Sequence, residues 1–222
     1  GKATLHARIT LPPWRRRALV QMAPVHDPQE AARLQALESY AILDTPTEQA
    51  YDQLATLAAR LCGTPMAVAN FLDSERQWFK AAVGVPFRQT DRAISFCTHA
   101  LSGTRTPMVV ADARQHPLFA VNPLVVGEPH VRLYACVPLI TPEGAALGTL
   151  AVLDTVPRAL TDEQLEGLKI LAGQVMVLLE LRRQQRLLSQ LLQERDQMHA
   201  ELVAQSETLR VAGSLARIGG RS

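Results

Sequence analysis

Two side chains capable of nucleophilic chemistry stand two positions apart in Ser95-Phe96-Cys97-Thr98-His99-Ala100. A cysteine becomes a nucleophile when a nearby base or positive end lowers its pKa, and His99 could serve as that base. On a strand the pair would share a face; on a helix they would point well apart. Ser95 could cap a short helix that sets Cys97 in its first turn. No third residue that would orient the histidine is evident and the segment is apolar, so lining a pocket is the favoured role. Cys97, His99, His116, His130 and Cys136 lack the close spacing that brings two metal ligands together, so no metal site and no catalytic residue are assigned. A second cluster, Arg76-Gln77-Trp78-Phe79-Lys80, adds stacking surface and cations. Arg76, Lys80, Arg92 and Arg132 would suit an anion. The pocket candidates are Trp78, Phe79, Phe96, Cys97, His99, Asp112, Phe119, Tyr134 and Cys136, with Trp78 and Phe79 facing opposite sides if they share a strand.

The elements that must position these residues follow from periodicity. Asp27-Pro28-Gln29-Glu30 is a helix start, with proline at the first helical position and an acid near the dipole's positive end. That helix should stop by Thr45-Pro46. Thr47 can cap a second helix, whose stripe is Tyr51, Leu54, Leu57, Ala58 and Leu61, with Gly63 as its C-cap. Then the period changes to strands: 66–72, 77–83, an edge strand at 108–112, 132–140 and 146–153. Gly148 suggests a close backbone approach. Residues 114–120 read as a short helix and 121–129 as a loop. The long connection 86–131 should fold over one face of the sheet and enclose a pocket. The fold class is α+β, an antiparallel sheet with helices at both ends.

Composition narrows the function classes. The chain has 222 residues, 47% apolar and 20% charged, with a formal net charge of +2. That charge is too small to imply a nucleic-acid partner, and no apolar run is long enough to span a membrane. Three distant cysteines, Cys62, Cys97 and Cys136, make no disulfide framework, and no signal-peptide pattern opens the chain, so a cytoplasmic protein is expected. Residues 1–26, with Arg15-Arg16-Arg17, read as a disordered basic arm. Gly1 in place of an initiator methionine suggests a fragment of something longer.

Several motifs occur in one order: Arg33-Leu34, Ile42-Leu43-Asp44-Thr45-Pro46, Asp73 to Lys80, and Ser95 to Ala100. Val110-Ala111-Asp112-Ala113, His116-Pro117-Leu118-Phe119, Asn122-Pro123-Leu124-Val125 and Gly148-Thr149-Leu150 follow. Over Pro28 to Glu180 this resembles a GAF domain of the kind found in bacterial sensor histidine kinases and cyclic-dinucleotide signalling proteins. The resemblance implies five or six antiparallel strands, helices behind them, a ligand pocket under the long connection, and dimers through the terminal helices. It names no cofactor and fixes no ligand. Cys97 is not followed by histidine, as in members that attach a linear tetrapyrrole. The residue set of cyclic-nucleotide binders is not traceable. The three cysteines are not clustered as in members that reduce free methionine sulfoxide.

A helix starts at Thr161-Asp162-Glu163 and meets no proline to Ala212. Steps of 3.5 residues pass through Leu171, Gln174, Leu178, Leu181, Gln185, Leu188, Leu192, Arg195, His199, Leu202, Ser206 and Leu209, a weak two-stranded coiled coil. Residues 209–220 resemble the opening helix of a PAS domain. The organisation expected is therefore arm 1–26, GAF domain 27–180, coiled-coil signalling helix 181–212 and the start of a PAS-like domain at 213–222. The expected function is a sensory module of a two-component or related system. It binds a small ligand and relays its state through a homodimer to a downstream domain of the same chain, itself a histidine kinase or diguanylate cyclase, with no enzyme in this region. The alternatives are a redox enzyme of the free methionine sulfoxide reductase type using Cys97, and a dimerisation scaffold without ligand.

Overall fold

The computed structural model describes residues 8–9, 28–102 and 105–219. The chain divides into two compact units, Gly1–Glu180 and Leu181–Ser222.

In the first unit, helix α1 (Pro28–Tyr40) and helix α2 (Gln49–Cys62) precede the hairpin of β2 (Met66–Leu72) and β3 (Arg76–Val83). Next come β4 (Gln89–Asp91), helix α3 (Cys97–Ser102), β5 (Met108–Val110), helix α4 (Pro123–Val126), β6 (Leu133–Ile140) and β7 (Ala146–Asp154). Helix α5 is continuous over Asp162–Gly219. The sheet order is β1-β4-β3-β2-β7-β6-β5, where β1 is the pair Arg8–Ile9. Every neighbouring pair is antiparallel except β1 with β4, which is parallel. The rest of the expected arm, and the cap at Asp27, lie outside the described residues.

β2 and β7 are buried along their whole length, because both faces of the sheet are covered. On one face, Leu37, Tyr40, Tyr51, Ala55 and Ala58 of α1 and α2 join Leu168, Leu171, Ala172, Val175 and Leu179 of α5 over Ala67, Ala69, Leu150 and Val152. On the other, the connection from β4 to β6 lays Phe96, Phe119, Leu124 and Val125 over Met66, Val68, Ala151 and Leu153. Gly148 lets β7 approach β2 closely: a Cβ there would lie 1.9 Å from the Asn70 carbonyl oxygen.

Several expectations need correction. α2 is capped by Glu48, not Thr47, in extended conformation and without a side-chain capping bond to the helix; its Gly63 end is left-handed at φ 64° as expected. The expected helix 114–120 is only a 3-10 turn, Ala113–Gln115, since the Asp112 carboxylate accepts from Arg114 N and closes it locally. The expected loop 121–129 contains α4, because Asn122 caps it by accepting from Leu124 N and Pro123 occupies the first turn. The three-residue strand β4 was too short to show a period. Leu171 and Leu178 also leave the proposed seam: Leu171 is in the domain core and Leu178 packs against it.

The second unit is the remainder of α5. Leu181, Leu187, Leu188, Leu191, Leu192, Met198, Leu202 and Val203 are exposed on it. Among the described residues no helix is long and apolar enough to cross a membrane.

Candidate ligand recess

Strand alternation divides the predicted residues between two faces. Gln77 and Phe79 turn to the face covered by the connection, while Trp78 turns to the helical core beside Phe71, ring centroids 6.5 Å apart. A recess of about 410 Å³ of atom-free space, part of it open solvent, lies on the connection side. Its floor is Met66, Val68, Gln77, Phe79, Thr90, Tyr134 and Leu153; Val85, Phe87, Phe96, Leu124, Pro129 and Val131 close it. The space in it that a water-sized sphere can occupy holds about one or two waters.

Of the predicted pocket residues, Phe79, Phe96 and Tyr134 line this recess. Phe96 stacks on Tyr134 at 4.8 Å and meets Phe119 at 4.7 Å, so Phe119 stands one layer behind. Phe119 in turn lies between His116, stacked at 4.3 Å, and His99, edge-on at 5.3 Å. Burial, and then the neighbouring His116, push the His99 pKa down. Trp78 is on the other face. Asp112 is at a strand end, where hydrogen bonds from the Arg114 side chain hold its carboxyl at about 2.

Cys97 stands in the first turn of a short helix, as expected, with the Ser95 hydroxyl against its sulfur; it faces Leu72, Leu101 and Ala146 and is fully buried. Burial pushes its thiol up to about 12, against a partial lowering by the Ser95 hydroxyl at 2.8 Å. Cys136 is pushed up to about 11 by the same cause, and burial also raises Cys62. A thiol held this way is protonated at neutral pH and is no nucleophile. Burial likewise pushes the Tyr134 hydroxyl well above its ordinary value.

The cations proposed for an anionic ligand are committed elsewhere. Lys80 is on the helical face, its Nζ donating to Thr45 Oγ1 at 2.8 Å, Pro46 O at 2.6 Å and Glu48 Oε1 at 2.6 Å, which pins the α1–α2 linker to the sheet. Arg76 pairs with Asp44 and Asp73. Arg92 pairs with Glu30 and donates to the Asp73 carbonyl. Burial alone would raise the Glu30 carboxyl, but hydrogen bonds and charge from Arg33 and Arg92 together hold it at about 2. Arg132 donates to the Val125 and Val131 carbonyls and ties α4 down.

Sequence reasoning missed Gln77 and Thr90, the polar pair inside the recess, with Thr90 Oγ1 donating to Gln77 Oε1 at 3.2 Å. The available signal was alternation: if Phe79 faces the pocket, Gln77 does too.

Comparison with known proteins agrees with this architecture. Over 135 residues the chain is 38% identical to a cyclic di-GMP phosphodiesterase of Pseudomonas aeruginosa, a match covering 61% of this chain and 23% of that protein. The chain thus spans about a quarter of that relative. The GAF domain of Thermosynechococcus elongatus PixJ in its blue-light-absorbing form superposes with a TM-score of 0.50 at 15% identity, over 76% of this chain and 95% of that one. The GAF domain of an Acinetobacter phosphoenolpyruvate-protein phosphotransferase gives 0.49 at 15% identity, over 70% and 95%. At such identities the likeness is one of fold. The family model for the GAF domain matches residues 46–179, more than half the sequence, and this chain belongs to the GAF domain family.

Proposed function

We propose that this chain is the sensory part of a bacterial signal transducer, in which occupancy of the recess is relayed through α5 to an output domain. GAF domains are generally regulatory, and the relative's name makes cyclic-dinucleotide turnover a candidate output. One observation carries the relay. β7 is the shared wall: Ala151 and Leu153 belong to the recess side, while Leu150 and Val152 pack with Leu168, Ala172 and Val175 at the root of α5. A ligand that moves β7 on one face is felt by the helix root on the other.

The second half of the proposal is that α5 pairs with its copy beyond Leu181, burying Leu181, Leu188 and Leu202, in a cytoplasmic homodimer. Two seams share that column, one completed by Leu192 and the other by Leu191 and Met198. A helix with two near-equal seams can pass on a rotation. A PAS-like domain following Leu209 is part of the same reading.

A second reading, a dimerisation scaffold without ligand, draws on the near-complete filling of the recess by the protein's own side chains. The redox-enzyme reading lacks support, because Cys97 is buried and protonated.

Sedimentation equilibrium with Leu188→Asn/Leu202→Asn tests the dimer: a dimer that dissociates at least tenfold more readily in the variant is expected, and a monomeric wild type would end the relay proposal. Spin labels on Ser189→Cys test the coupling. Filling the recess with Leu124→Trp should change the inter-label distance distribution, and an unchanged distribution would favour the scaffold.

A further inference from the structure

We propose that the recess takes a small, flat, uncharged ligand with a single hydrogen-bonding edge received by Gln77. This rests on the reading of the recess as the ligand site and adds the chemistry of what enters it.

Charge comes first. None of the described residues lining the recess carries a formal charge. The cations nearest along the chain are engaged: Arg76 and Arg92 in ion pairs, Arg132 on the backbone of α4. An anion entering here would lose its hydration and find no counter-charge, which is among the costliest transfers in protein chemistry. A cyclic dinucleotide, with two phosphates, therefore does not fit, and the input differs in kind from the substrate named for the Pseudomonas relative. Lys80, beside Phe79, is held by Glu48 on the opposite face, and a further cation, Arg88, adjoins Phe87 in sequence. It does not line the recess, but its Nη1 is buried without a hydrogen-bond partner, so it enters the test below.

Shape and polarity complete the description. Phe79 and Phe87 stand 5.9 Å apart with planes tilted by 49°, and the Phe96–Tyr134 stack, tilted by only 19°, forms a second flat wall. Such surfaces favour a planar guest. Gln77 is buried and Thr90 engages one end of its carboxamide. A threonine hydroxyl can donate or accept, so whichever way round the amide lies, its other end has no partner among the described residues and is available to a guest. α4, which carries Leu124 of the recess wall, is held by few bonds to its surroundings: Asn122 Nδ2 to Ile94 O at 2.9 Å, Val131 N to Leu124 O at 2.8 Å, and Arg132 Nη1 to Val125 O at 2.9 Å.

Methyl NMR of the 222-residue chain, reading Met66, Leu124 and Leu153, provides the test with two matched probe pairs: indole with indole-3-carboxylate, and benzamide with benzoate. Each neutral probe should shift these methyls and bind at least tenfold more tightly than its acid. Gln77→Leu, or Thr90→Val should that variant not fold, should weaken both neutral probes severalfold and leave toluene unaffected. An acid that binds as well as its neutral partner, with its binding lost in Arg88→Gln, would overturn the uncharged class and keep the site. No methyl shift with any of the four, in wild type or in an Arg132→Gln variant with a looser α4, would overturn the site itself.

Discussion

Cys97 decides between a sensor and a thiol enzyme, and its reactivity can be worked out from its surroundings. At about 12, its thiol at pH 7.5 is ionised in only ~3 molecules per 100,000. A free cysteine near 8.5 is ionised in roughly one molecule in ten, a ratio of about 3,000. A more basic thiolate is a better nucleophile, and with a Brønsted slope near 0.4–0.5 this returns a factor of about 40, so chemistry alone slows Cys97 by roughly 100-fold. Local opening is the second route. The side chain is fully buried under α3 among Leu72, Leu101 and Ala146, so a reagent that cannot reach it must wait for opening. The opened thiol has its ordinary pKa, so this route is slowed by the opening equilibrium alone, about tenfold per 1.4 kcal/mol, and a modest 3 kcal/mol again gives roughly 100-fold. The assay is iodoacetamide labelling at pH 7.5, read cysteine by cysteine by peptide mass spectrometry, with a urea-unfolded sample in which all three thiols should react alike. Labelling of native Cys97 within tenfold of free cysteine would refute the reasoning. So would turnover of a sulfoxide or peroxide that Cys97→Ser abolishes.

Three further outcomes follow from the same structure. Folded-state values of about 12 for Cys97 and about 11 for Cys136 lie above those of an unfolded thiol, so the stability they contribute is present below about pH 8.5 and is lost as pH rises toward 11–12. Urea midpoints should fall steeply above pH 9, and Cys97→Ala/Cys136→Ala should flatten that fall. At the buried Lys80, Glu48→Gln should be the costlier change, by roughly 3 kcal/mol, since it removes the counter-charge of an interior ammonium; the figure sits at the low end because the Glu48 side chain is 40% exposed. Lys80→Met removes the charge itself and strands mainly the Pro46 carbonyl, for about 2 kcal/mol, and the reverse order in urea denaturation would contradict this account. Gly148→Ala should cost about 3 kcal/mol or more by forcing β7 away from β2, whereas Gly173→Ala, with open space in the α5 interior, should gain about 0.5–1 kcal/mol.

The strands and helices were legible wherever a face is buried along several residues. The run Met66 to Leu72 gave β2, because burial writes its period into the sequence; the expected stripe gave α2 only in part, since Tyr51 and Ala58 are buried with Ala55, Ala59 and Cys62 while Leu57 and Leu61 are exposed. Elements stabilised by one local bond were not legible. α4 exists through the Asn122 cap and Pro123, and four residues carry no period. The site was half legible. Phe79, Phe96 and Tyr134 were found because aromatic side chains stand out, while Gln77 and Thr90 were missed because their meaning depends on which strand face lies under the connection. Lys80 and Asp112 were misplaced for a related reason. A charge in a motif signals that something binds it, but the partner here is the protein itself: the linker at Thr45–Glu48 for Lys80, and Arg114 for Asp112.

That misplacement bears on how such a domain keeps a fixed frame around a changeable pocket. The charged residues of the motifs build the frame. Lys80 holds the linker, Arg33 and Arg92 grip Glu30, and Arg76 ties Asp44 to Asp73, so α1, α2 and the β2–β3 hairpin are locked by groups that rarely tolerate exchange. The recess walls, in contrast, are apolar side chains whose size can change at modest cost, about 1–3 kcal/mol each. The division explains why motifs that identify the family say little about the ligand. The charged residues are the recognisable ones and they face the frame, while the recess is lined by uncharged residues such as Gln77, Thr90 and Leu124, on which ligand choice rests under our proposal. Exchanging those wall residues should therefore change what the recess accepts without loosening the frame that carries β7 and α5.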